Sequence, residues 1–144
     1  MSTRSYAGPL WLLTGLFAFR VVAQPAALAF DRVLPSFDSW DGGVVPYPVL
    51  LVAQFVIVAW LARTAWRFST GKVIRRPRVG RAALAFGAVY FAVMFLRLLL
   101  GATALSQVRW FASPLPAVFH LVLAAYLLLY GHCHLHTVSG KASR

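Results

Sequence analysis

The sequence predicts an all-α integral membrane protein: a four-transmembrane-helix bundle with both termini cytoplasmic. Three observations carry this expectation. Of the 144 residues, 60% are hydrophobic and 12% charged, whereas soluble domains hold apolar content near half and roughly 25% charge. Four apolar stretches approach the ~20 residues that span a bilayer core at ~1.5 Å rise per residue. The charges are also segregated, with basic residues in one connection and acids in another.

The first helix is expected over residues 8–30. Its positive start, apolar centre and Val21-Val22-Ala23 resemble a secretory signal peptide. Arg20, however, stands within the apolar region, and cleavage would leave an odd number of spans. The helix is therefore expected to be retained. An acidic outer loop over 31–44 holds all three acids of the chain, Asp31, Asp38 and Asp41. Asp41-Gly42-Gly43 is a turn signal, and Pro35, Pro46 and Pro48 oppose a long helix there.

The second helix is expected over 45–62, followed by a basic loop over 63–81. That loop carries Arg63, Arg67, Lys72, Arg75, Arg76, Arg78 and Arg81 with no acid among them. The third and fourth helices are expected over 82–105 and 114–132. Arg4, Lys141 and Arg144 lie on the same side as the basic loop, and cytoplasmic segments are enriched in Lys and Arg. Both termini and the basic loop are thus expected in the cytoplasm, which agrees with an even number of spans. A bacterial inner membrane is the expected location. The tryptophans fall near the expected interfaces, where amphipathic rings anchor a bundle. Trp40, Trp60, Trp66 and Trp110 are examples, with Tyr47 and Phe111 beside them.

The formal net charge of +11 raises nucleic acid as a partner. The basic residues are juxtamembrane, where topology and anionic headgroups account for them. "GKVIRRPRVGR" also lacks aromatic residues for base stacking. No nucleic-acid partner is expected. The single cysteine, Cys133, forms no internal disulfide and is expected as a reduced thiol.

The informative residues are polar ones inside apolar helices. Arg20 and Gln24 lie on the first helix, Gln54 on the second, Arg97 on the third and His120 on the fourth. All sit about 6–10 residues from the outer boundary, or ~9–15 Å deep at the helical rise. Intramembrane charges are expensive, face the bundle interior and take a partner. Arg20 and Gln24 share a face at i,i+4, and Pro25 frees the Val21 carbonyl. On the third helix Tyr90, Arg97 and Gly101 form a stripe. Two readings compete. In one, helix carbonyls, Gln, Tyr or the loop aspartates satisfy the arginines. In the other, Arg20, Gln24, Gln54, Tyr90, Arg97 and His120 line a pocket for an anionic or carbonyl-rich ligand, since a guanidinium can bind carboxylate or phosphate through two hydrogen bonds.

The chain closes on "GHCHLH". If the fourth helix continues through it, His132 and His136 share a face and His134 lies opposite. One metal then cannot collect all three. If Gly131 ends the helix, an extended run places His132, His134 and His136 on one side. The helical alternative is favoured, and a metal there is a minor reading. His120 could ligate haem or chlorophyll through a single axial histidine. A two-histidine cytochrome is disfavoured, because every histidine lies on or after the fourth helix.

Catalytic templates are absent. There is no Ser/His/Asp set, no Cys-x-x-Cys and no His-Glu-x-x-His. Four short helices also enclose too little for a channel unless they oligomerise. The expected function is a non-enzymatic accessory or subunit that binds lipid, a cofactor or partner helices, within a larger membrane complex or homo-oligomer. The alternative is a membrane enzyme or carrier that handles an anionic amphiphile or quinone between Arg20, Arg97 and His120.

Overall fold

The computed structural model describes residues 3–30, 32–40, 46–103, 107, 108, 111 and 113–136. Among them are four helices long and apolar enough to cross a membrane, and no strand. They are α1 (Ala7–Ala26), α2 (Tyr47–Ser69), α3 (Pro77–Ala102) and α4 (Pro114–His136). A 3-10 turn, Thr3–Tyr6, precedes α1, and a second, Phe37–Trp40, lies in the connection to α2.

Each boundary has a local cause. α1 ends at Ala26 rather than near residue 30. Pro25, inside its last turn, lacks the N–H that would bond the Val21 carbonyl, and beyond it the chain mixes tighter bonds, Leu28 N→Pro25 O (3.2 Å) and Ala29 N→Ala26 O (3.0 Å), with helical ones such as Phe30 N→Ala26 O (2.9 Å). α2 runs past residue 62 to Ser69, so Arg63 and Arg67 are helical rather than loop residues. Pro48 sits in its first turn and Pro77 opens α3, where a missing N–H removes no helical bond. Gly71, with φ of 70°, ends the α2 turn in the left-handed region that suits glycine.

α4 continues to His136, so Gly131 does not break it. Its glycine serves packing instead. A Cβ on Gly131 would stand 2.8 Å from the Gly80 carbonyl oxygen and 2.8 Å from the Leu84 nitrogen. A Cβ on Gly80 would meet His134 Cβ at 2.9 Å, and one on Gly87 would meet Leu127 Cβ at 3.2 Å. α3 and α4 thus press backbone to backbone, the means by which apolar helices associate without a hydrophobic drive.

α1 packs beside both α2 and α4, whereas α2 and α3 form no extended backbone contact. α2 reaches α4 through large side chains. The Tyr126 hydroxyl donates to the Leu61 carbonyl (2.8 Å), and Trp60 and Phe68 lie against Tyr130 with ring centroids 6.0 and 6.1 Å apart. The larger core includes Leu10, Phe17, Leu61, Phe68, Tyr126 and Cys133, the last fully buried. A smaller one, of Ala23, Ala27 and Trp40, sits under the α1–α2 connection. Large apolar side chains such as Val52, Phe86, Val89 and Leu96 face outward.

The basic connection is tied to the end of α4. Arg75 donates to the His134 carbonyl (3.3 Å) and to the Leu135 carbonyl, and the Arg76 N–H donates to His134 Nδ1 (3.3 Å). These donors lie at the last described turn of α4, where helix carbonyls favour positive charge.

Candidate functional site

Four of the polar residues in the expected layer are buried: Arg20 (5% exposed), Gln24 (0%), Gln54 (3%) and Arg97 (4%). Tyr90 and His120 are half-buried, joined by a hydrogen bond between the Tyr90 hydroxyl and His120 Nδ1. Each of the four helices contributes. Arg20 lies on the inward stripe of α1 with Phe17, Val21 and Gln24, and on α3 Arg97 is buried along with Gly80 and Gly87.

Arg20, Gln54 and His120 line one cavity of ≈ 80 Å³, walled by Phe17, Leu50 and Phe119 among others. Arg97 and Tyr90 do not line this cavity, and Tyr90 reaches it through His120. Gln54 Oε1 is buried without a hydrogen-bond partner among the described residues, and so are both amide atoms of Gln24. A buried polar atom left unpaired costs about 1–3 kcal/mol, so the Gln54 amide marks where a further group would be stabilised. Gln24 lies one turn beyond Arg20, fully buried but outside this cavity's wall.

Arg20 is also held by the protein. Its Nη2 donates to the Trp40 carbonyl oxygen (3.0 Å), and its Cζ lies 5.8 Å from the Phe119 ring centroid. Trp40, expected as an interfacial anchor, is 2% exposed. Its indole N–H donates to the Pro35 carbonyl (3.1 Å) and its ring stacks on Phe119 at 5.9 Å. The acidic connection therefore folds back over the polar layer. Asp38 in that connection is exposed, while Asp31 and Asp41 lie outside the described residues. Trp40 and Phe119 are the site residues that sequence reasoning missed, since no pattern separates a tryptophan folded inward from one facing headgroups.

Size decides among the expected ligands. An apolar cavity of ~150 Å³ admits benzene, so the ≈ 80 Å³ beside His120 suits a compact polar group better than a quinone ring or a tetrapyrrole. At the other end of α4 the three histidines diverge. His132 and His136 stack at 4.2 Å, with His136 Nδ1 donating to the His132 carbonyl (3.1 Å). His134 is buried on the opposite side against Tyr130 (4.5 Å) and Phe68 (6.2 Å). Among the described residues no three His, Cys, Asp or Glu side chains group so as to hold a metal ion. No family model matches the chain, and neither the curated proteins nor the solved structures give a match.

Proposed function

We propose that this chain is a multi-pass protein of a bacterial inner membrane, with both termini and the basic connection in the cytoplasm. In this reading it is a non-enzymatic accessory or subunit that holds a lipid or cofactor in its polar cavity. The observation that carries it is Gln54, whose buried Oε1 lacks a partner in the wall of a cavity that also presents Arg20 and His120. The excess of Lys and Arg at one end of the bundle supports the orientation. The outward apolar face of α3 suits membrane lipids, partner helices of a larger complex, or a second copy.

A second reading, a membrane enzyme or carrier for an anionic amphiphile, is favoured by the Tyr90–His120 pair at the cavity. Such a pair could move a proton at the His120 ring. The two readings separate by experiment. The protein is purified in mild detergent, and its bound small molecule is identified by mass spectrometry and an absorption spectrum. A molecule recovered unchanged after incubation in the native membrane supports the accessory role. Conversion that Tyr90→Phe abolishes supports the enzyme. Reporter fusions placed after residue 40 and within 70–76 test the orientation, with the second expected in the cytoplasm.

A further inference from the structure

The polar cavity shares a wall with a second space. Ile57 and Leu123 line both it and an apolar groove of ≈ 330 Å³ that continues past Trp60 and Leu127. The two run in one direction along parallel helices, from Gln54 to Leu61 on α2 and from His120 to Leu127 on α4. That is about 10 Å at ~1.5 Å per residue. The groove lies between α2 and α3, which form no extended backbone contact, so it opens sideways from the bundle. Tyr90 stands at the junction, lining the groove and bonded to the His120 that lines the cavity.

A small polar chamber that continues into an apolar groove describes an amphiphile. The chamber holds less than a ring, so the head must be compact. It must offer oxygen acceptors to a guanidinium and complete the hydrogen bonding of Gln54, an amide that can turn to present either its carbonyl or its NH2. The groove follows one line, between α2 and α3, which suits one chain, whereas a diacyl phosphate carries two chains and a larger head. Resting on the ligand-holding reading above, we propose that cavity and groove form one site for a single-chain carboxylic acid. The carboxyl group sits among Arg20, Gln54 and His120, and the hydrocarbon chain lies between α2 and α3.

The test is equilibrium binding of radiolabelled palmitate to the full chain in mild detergent, beside methyl palmitate and hexadecanol. Palmitate is expected to bind, with the ester and the alcohol weaker by about tenfold or more, the loss of a hydrogen bond to a charged group. Gln54→Leu is expected to weaken palmitate binding by a similar factor. Ile57→Phe and Leu123→Phe, which narrow the shared wall, are expected to weaken acid and ester alike. Each variant is first checked for native helicity and melting temperature, and the ester and alcohol comparison on the unaltered chain needs no variant. Equal affinity for acid, ester and alcohol overturns the proposal, as does a folded Gln54→Leu protein with unchanged affinity. If the purified chain carries a quinone or phospholipid and does not bind palmitate, this proposal falls and the ligand-holding role stands. If it neither carries nor binds any amphiphile, both fall.

Discussion

Arg20 Nη2 donates to the carbonyl oxygen of Trp40 at 3.0 Å, joining the interior of α1 to a connection that sequence alone would leave at the bundle surface. A hydrogen bond to a charged group contributes about 1.5–3 kcal/mol. Arg20→Leu is therefore expected to lower unfolding stability in detergent by about that much, and to weaken the near-ultraviolet circular dichroism of the stacked Trp40. Arg20→Lys, which keeps a charged donor without the planar fork, is expected to fall between the two. An unchanged melt for Arg20→Leu would place the connection's stability elsewhere.

The α3–α4 contact gives a sharper contrast. Even one methyl at Gly131 meets backbone atoms at 2.8 Å, which no rotamer change relieves, whereas Gly15 has nothing within 4 Å of its Cβ position. Gly131→Ala is expected to destabilise by about 1–3 kcal/mol through overpacking. Gly15→Ala, in the interior of α1, is expected to stabilise by about 0.5–1 kcal/mol. Paired denaturation curves of the two variants check both signs.

The histidines are expected to differ by position. His134→Ala removes ring packing on Tyr130 and the acceptor for the Arg76 N–H, for an expected loss of about 1–3 kcal/mol. His132 is exposed, so His132→Ala is expected to stay within about 0.5 kcal/mol. Any weak zinc affinity measured by titration should follow His132 and His136, and be indifferent to His134. Equal loss of zinc binding in all three variants would contradict the helical geometry.

Tyr126 is fully buried and donates to the Leu61 carbonyl at 2.8 Å, one of the links by which α2 reaches α4. Tyr126→Phe keeps the ring and removes the hydroxyl. It is expected to cost about 0.5–1.5 kcal/mol, read as a lower thermal midpoint with helicity retained.

Hydropathy made the four long apolar helices legible, because it measures the cost of placing a segment in lipid and that cost is summed along the chain. Arg20, Gln54 and His120, which the sequence sets at similar distances from the ends of three helices, line one cavity, whereas Gln24, Tyr90 and Arg97 do not line it. What sequence could not supply is which element packs on which. Gly131 reads as a breaker by propensity, yet it is the point where α4 meets Gly80 of α3. Trp40 reads as an interfacial anchor by position, yet tertiary folding of its connection buries it over Phe119. The lack of an extended α2–α3 backbone contact beside the groove leaves no periodic trace, since lipid and a ligand chain are equally apolar neighbours. Gln24 is buried like Arg20, but one turn is enough to carry it out of the cavity wall.

The account turns on the cavity holding a ligand at Gln54. Its most direct test is native mass spectrometry of the chain released from its membrane, with Gln54→Leu measured alongside. The expected result is an adduct of one small amphiphile on the unaltered chain that is depleted in the variant. An unaltered chain that flies without any adduct, or an adduct equally abundant on folded Gln54→Leu protein, would contradict it.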